Sequence, residues 1–378
     1  MQIPMLRISA GAMVAGALVA SAAVLSAQTP SGGRAAGQKT TSTDAAIKAG
    51  AEAARAEAAL KNWTPPRTPW GEPDLRGVWH LATYTPLQRP RELANKAFYT
   101  EEEAISAFKR AVELDAEVDP RTVHYDWKEY GMDAWQGGAR PNLRTSLIVD
   151  PADGRLPPRT AEARERETAR AAAEKLRDPA AGIRTLGNTY TRCILGNGAI
   201  PLVRGGNPGS EGSAGGVTAE AQFFQSPGYL TIVTQSNNDI RIIPLDGRPH
   251  VPSTVRQWWG DARGHWEGST LVVETTNFND RAPATNFLGS TDALQVVERF
   301  TLIAPNTIRY EYTMTDPKTW TRPWSVETTM PRIEPSIVYE FACHEQNYGV
   351  INVVKGTQIR ERETAATGAT PSAGGYER

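Results

Sequence analysis

From Gln222 to Ala342 the chain alternates apolar and polar residues with a period of two, and this pattern constrains the fold more than any other feature of the sequence. The clearest stretch is residues 307–315, where Ile308, Tyr310, Tyr312 and Met314 alternate with Thr307, Arg309, Glu311, Thr313 and Thr315. Successive side chains of a strand point to opposite faces, so one face is apolar and the other polar. The runs QFFQS, YLTIVTQ, DIRIIPL, VRQWWG, TLVVETTNF, LQVVERFTLI, WSVETTM and IVYEFA read the same way, and turns such as Asp246-Gly247 and Pro305-Asn306 separate them. Such a series predicts an antiparallel meander, whose edges must be closed or covered. The expected fold is mainly β: a single antiparallel β-barrel or strongly curved sheet, lipocalin-like as one form of it, with two or more peripheral helices.

Upstream, the Pro-rich segment TPPRTPWGEPDL leads into GVWHLATY, a first strand after a turn. Thr100 with Glu103 three residues on forms a capping box, which announces a helix whose apolar face carries Ile105, Phe108 and Val112 and which stops at Asp119-Pro120. A second helix is expected from near Thr160 to before Asp178-Pro179; its Ala, Arg and Glu content places it on the surface.

The ends differ from this middle. Arg7 followed by the uncharged run Ile8–Leu25 and the small residues up to Ala27 reads as a signal peptide over residues 1–27, with Gln28 as the mature N-terminus. Export to the periplasm or medium is expected, with no membrane attachment after cleavage. Residues 28–62 have too few large apolar side chains to offset their chain entropy and read as a disordered tether, although 44–61 has helical propensity. Residues 361–378 read as a disordered tail, which leaves 63–360 as one β-rich domain.

Cleavage takes the formal charge from -1 to -2. With no dense Lys/Arg cluster, nucleic acid is not an expected partner; a small-molecule ligand or substrate is. Cys193 and Cys343 are the only cysteines, and an oxidising compartment favours their pairing. Closing so long a loop contributes up to about 5 kcal/mol in the chain-entropy model. Two separate buried thiols are the alternative.

The blocks PDLRGVW, LIVDPADGRLPPRT, RCILGNG, IRIIPLDGRPH, GHWEGSTLVVETTNFND, LQVVERFTL, YTMTDPKTWTRPW and FACHEQNYG resemble a family of exported bacterial proteins, from about Pro73 to Gly356. That resemblance implies export and carries no activity, so no catalytic residue is transferred from it. Gly77-x-Trp79 also resembles the first-strand Gly-x-Trp of lipocalins.

Site residues must therefore be argued from their chemistry. The five histidines are His80, His124, His250, His265 and His344, and imidazole is the side chain best suited to proton transfer near neutral pH. His265 and Glu267 sit two apart in GHWEG and share a face if the segment is extended. The structural alternative makes Trp266 the core anchor and leaves both at the surface. His250 closes the turn segment DGRPH. His344 and Glu345 follow Cys343 at the end of the last expected strand, with Tyr348 beyond; a disulfide would bring Arg192 nearby, either to neutralise a substrate oxyanion or to pair with Glu345.

The chain has no H-E-x-x-H, paired C-x-x-C, G-x-S-x-G, G-x-G-x-x-G or P-loop. No cofactor is predicted, and a metal held by distant histidines stays open. Ten tryptophans, five of them in the β region, suit either core packing or stacking on a flat ligand. The leading expectation is an exported enzyme performing metal-free acid/base chemistry of lyase, hydratase or hydrolase type on a small aromatic or carbohydrate-derived molecule. Its candidate residues are His265, Glu267, His344, Arg192, His250 and Tyr348. The competing expectation is a non-catalytic periplasmic ligand carrier or envelope structural protein.

Overall fold

A computed structural model describes residues 63–116, 139–175, 192–194, 200–205, 220–279, 287–333, 340–345 and 347–367, with Val338 and scattered positions from 48 to 60. The expected signal peptide and most of the expected tether lie outside the described residues. The described positions between Lys48 and Ala56 are helical, and Ala51 is buried. Arg55 pairs with Glu101, so this part of the expected tether packs on the folded chain.

Among the described residues, ten strands form two antiparallel sheets. β1 (Gly77–His80), β3 (Glu220–Ser226), β4 (Tyr229–Thr234) and β5 (Ile240–Pro244) make one, in the order β1-β3-β4-β5. β2 (Ile148–Asp150), β6 (Asp261–Glu267), β7 (Thr270–Thr276), β8 (Gln295–Ala304), β9 (Thr307–Thr315) and β10 (Trp324–Pro331) make the other, in the order β2-β10-β9-β8-β7-β6. β3 to β5 and β6 to β10 pair consecutively as meanders, while β1 joins β3 and β2 joins β10 across longer connections.

The inner faces of both sheets share one core. Ile308, Tyr310, Tyr312 and Met314 of β9 all face inward and are buried, as the alternation requires. Phe223, Phe300, Tyr310, Tyr312, Trp324 and Trp320 run through this core as a continuous series of ring contacts at centroid distances of 5.1–5.9 Å. Such offset and edge-on pairs add to what area burial alone contributes.

The single barrel is corrected to two sheets that meet without closing. At one seam, Trp79 and Arg332 form an isolated bridge and the Ile333 amide donates to the Val78 carbonyl at 3.0 Å. The Arg332 guanidinium crosses Gly77 and lies 4.4 Å from the Trp79 ring centroid. Gly77 adopts φ 140° there, a backbone conformation that favours glycine. At the other seam β5 and β6 touch through side chains: a Cβ on Gly264 would lie 2.5 Å from Leu245 Cδ2 and 3.2 Å from Ile243 Cγ2.

Besides the helical positions between Lys48 and Ala56, three α-helices occur among the described residues. α1 (Glu101–Ala116) starts at the expected capping box: the Thr100 amide donates to Glu103 Oε2 at 2.8 Å and the Glu103 amide to Thr100 Oγ1 at 3.2 Å. Its Phe108 and Val112 bury with Tyr84 in a satellite core. α2 (Ala161–Lys175), capped by Thr160, is largely exposed, as its composition requires. α3 (Tyr348–Thr367) was not expected. It takes up Glu361–Thr367 of the expected tail, and Asn347 Oδ1 accepts from the Val350 amide at its start. Two further expectations are corrected. The described residues of IVYEFA form no strand, and VRQWWG is a turn with one isolated bridge, Gln257 to Phe278, in which the Gln257 amide donates to the Asn277 carbonyl and the Asn279 amide to the Gln257 carbonyl.

Candidate functional site

On β6, His265 and Glu267 do share a face, and it is the outer one. His265 Nε2 lies 3.3 Å from Glu267 Oε1, with the two side chains 54% and 49% exposed. Trp266 points the other way and packs on the core. Arg299 of β8 donates to Glu267 Oε2 at 2.8 Å, and this bond, followed by that of His265, holds the Glu267 carboxyl below its usual pKa.

His250 is better enclosed. Its Nδ1 lies 2.8 Å from Oδ2 of Asp261, a buried carboxylate that also accepts from the Val251 amide at 3.1 Å and pairs with Arg263 at 2.7 Å. Asp261 thereby anchors the loop after β5 to the start of β6 and orients the imidazole through Nδ1.

Cys193 and Cys343 form the disulfide, with a Cα–Cα distance of 5.6 Å. It brings residue 192 beside residue 344 along the backbone. His344, Glu345 and Tyr348 are nevertheless exposed, Tyr348 at 58%. The expectation that His344 and Glu345 end a strand is corrected, since both lie in the bend leading to α3. Among the described residues, Arg192 makes no ion pair with Glu345. The sequence candidates thus occupy separate places: His265 with Glu267, His250 with Asp261, and Arg192 with His344 and Tyr348.

The most constrained polar chemistry lies elsewhere, between the sheets. Arg241 of β5 and Glu298 of β8 form a bidentate ion pair with both side chains at most 2% exposed, Nη1 to Oε1 at 3.2 Å and Nη2 to Oε2 at 2.5 Å. Tyr310 donates its hydroxyl to Glu298 Oε1 at 2.7 Å and accepts from the Leu202 amide at 3.0 Å. Burial, then the adjacent carboxylate, pushes the Tyr310 phenol well above its usual pKa.

Next to this network lies a further set of buried polar groups. Among the described residues, Tyr312 Oη, Trp320 Nε1, Trp324 Nε1 and Arg204 Nε are buried and have no hydrogen-bond partner. Indole and guanidinium nitrogens only donate, so Trp320, Trp324 and Arg204 cannot satisfy one another, and the Tyr312 oxygen is the one acceptor among the four. They belong to one ring of contacts. The Arg204 guanidinium lies 4.7 Å from the Phe287 centroid, and the neighbouring Leu288 carbonyl accepts from Arg159 Nη1 at 2.5 Å. Arg159 lies 5.7 Å from the centroid of Trp320, which meets Trp324 edge-on at 5.4 Å. Trp324 meets Tyr312 at 5.9 Å, and Tyr312 is close enough to Arg204 for the charge to act on the phenol.

Arg204 keeps a partly exposed edge, yet burial still lowers its guanidinium to about 10. Within the ring Leu288 adopts φ 55°, ψ 28°, a left-handed conformation costly for a branched residue. Outside the same turn, α2 and residues 289–292 bound an open groove of about 520 Å³, whose Glu162, Arg166 and Asp292 mix charges of both signs.

No group of three or more His, Cys, Asp or Glu side chains suited to a metal occurs among the described residues, and none of their helices is long and apolar enough to cross a membrane. The sequence reading missed Arg204, Arg241, Glu298 and Tyr310. Glu298 was visible in principle, since it falls on the same parity as Val296, Phe300 and Leu302 and so had to face inward. Nothing local marks Arg204.

Comparison with family models finds no match, and comparison with curated proteins finds none. Among solved structures, a crystal structure of a single-substitution mutant of the fluorescent protein UnaG is similar at 13% identity over 38% of this chain and 85% of that one, with a TM-score of 0.20. A similarity at that score carries no argument.

Proposed function

We propose that the protein is an exported, non-catalytic small-molecule carrier that holds its ligand between two curved sheets in a lipocalin-like manner. One observation carries this reading: buried donors without acceptors, set in a ring of aromatic side chains. Burying a polar group without a partner costs about 1–3 kcal/mol by protein mutational data, and a ligand that supplies acceptors removes that cost. Aromatic walls with a few convergent polar groups are the usual lining of a small-molecule site. The Gly77-x-Trp79 signature supports the lipocalin-like form, and the disulfide is compatible with an oxidising compartment. A thermal-shift screen of aromatic acids, phenols and sugars tests the reading, because a ligand that binds only the folded state raises the melting temperature. A shift abolished by Trp324→Ala supports it; no shift from any class removes it.

One observation favours the second reading, a metal-free lyase or hydrolase. Asp261 fixes the His250 ring through Nδ1 and leaves Nε2 for proton transfer, the arrangement a general base needs. Under that reading His250→Ala abolishes turnover of a compound found in the screen and leaves its binding intact. Unchanged product formation in that variant rules His250 out.

A further inference from the structure

The outer faces of the two sheets differ in charge. On the six-stranded sheet the long strands send charges outward: Glu267 on β6, Glu274 on β7, Arg299 on β8, Glu311 on β9 and Glu327 on β10. On the four-stranded sheet the register sets Phe224 of β3, Thr231 of β4 and Ile242 of β5 side by side, with Gln222, Val233 and Ile240 in the next row. Tyr229 and Pro244 close this face at one end, and none of these positions carries a charge. Ile242, Ile240 and Phe224 are 63%, 57% and 47% exposed. We propose that this face of β3–β5 is where two copies of the chain meet, sheet on sheet about a two-fold axis.

Single apolar side chains scattered over a surface are ordinary, but large ones in adjacent rows of one sheet form a contiguous patch, and such patches mark contact surfaces. The isoleucines cannot turn inward, because Arg241 between them is committed to Glu298. Their exposure is therefore fixed by the core, and only a second body can cover them. Toward β1 the same face is already closed, with Val78 and His80 buried, so the free area lies over β3 to β5.

Charge selects the second body. A two-fold contact sets a face against itself, so a charge near the axis meets its own like. An uncharged face meets its copy without that cost. Its charged groups stand at the rim: Glu220 at the corner opposite His80, and the Asp246–Arg248 pair beyond β5, where Arg248 Nη2 donates to the Tyr229 hydroxyl at 2.9 Å. An apolar centre with a polar rim is the usual layout of a protein contact. With a formal net charge of -1, the whole chain also has little charge with which to repel a second copy. Size agrees with a reversible dimer. At roughly 200 Å² for a large apolar side chain, the three exposed fractions leave about 330 Å² per copy, and the half-buried rows around them bring the pair to about 1,000 Å² in total, where weak specific contacts lie. The pairing uses outer faces and is independent of the carrier reading.

Sedimentation velocity of the folded, disulfide-bonded protein from about 1 to 100 µM tests the pairing. The expected result is a monomer–dimer equilibrium, half dimeric at about 10 µM. Ile242→Lys and Phe224→Lys should each weaken it at least about tenfold, because either substitution buries an ammonium against its own copy. Thr329→Lys, at an exposed outward position of β10, should leave it within about twofold. Near-UV circular dichroism establishes that each variant is folded. Hydroxyl-radical footprinting of the unsubstituted protein, in which Phe224 and Ile242 lose reactivity as the concentration rises, reads the same contact if a variant does not fold. A monomer at 100 µM overturns the pairing, and so does a dimer that both face variants leave intact. A chain that stays monomeric but floats with phosphatidylcholine vesicles, and no longer does so with Ile242→Lys, overturns it in favour of a lipid surface.

Discussion

The outer face of β6 and the space between the sheets hold the same kind of interaction with opposite consequences. Outside, Glu267 meets Arg299 and His265 with all three side chains at least 38% exposed. Inside, Glu298 meets Arg241 and Tyr310 with almost no exposure. Water screens the first set, and exposed pairs of this kind contribute between nothing and about 1 kcal/mol. Desolvation makes the second set strongly interdependent, because removing one member strands the others in a medium that cannot solvate them. A histidine-carboxylate pair attracts attention in a sequence, yet solvent access decides whether such a pair has energetic weight.

Substitutions can break that comparison, beginning with the interior. Glu298→Gln, which leaves Arg241 without its carboxylate, is expected to destabilise the protein by about 3–5 kcal/mol in urea denaturation; a change below about 1 kcal/mol equates inside and outside. Tyr310→Phe leaves the Leu202 amide and one Glu298 oxygen without their hydroxyl, and about 1–3 kcal/mol is expected by the same measurement. Arg204→Met removes the bond to the Ile200 carbonyl and the stack on Phe287, and about 1 kcal/mol of lost stability is expected by the same measurement; no loss would show that neither contact stabilises the fold. The smallest effect belongs to the surface.

Glu267→Gln should leave the melting temperature nearly unchanged at pH 7. The sign of its pH dependence follows from its lowered pKa. Whatever the carboxylate contributes is present above its unfolded-state value and fades as the pH falls through the folded one. High salt should erase that difference between wild type and variant, and a difference that survives salt would show that the pair is less solvated than its exposure implies.

Much of the fold was legible because strand and cap signals are local. Alternation identified β8, β9 and β10, and Thr100 with Glu103 located the start of α1. α3 escaped because Val350, Ile351, Val353 and Val354 favour strands by propensity, whereas the Asn347 cap and the surrounding chain select a helix. In β5 the misleading signal was hydrophobicity itself. Ile240 and Ile242 face solvent at 57% and 63% exposure, while Arg241 faces in to meet Glu298. A shift of one residue would bury both isoleucines and leave Glu298 facing an apolar wall.

Residue order by itself determined the period of the strands, the turns between them, the helix cap and the presence of two cysteines able to pair. Each of these depends on neighbours within a few positions. Only the tertiary structure decided that the sheets meet without closing, that His265 faces water, and that Arg241, Glu298 and Tyr310 meet in the core. Those outcomes depend on contacts between residues as far apart as Arg241 and Glu298, where burial sets the strength of each interaction and no local pattern records which partner is met.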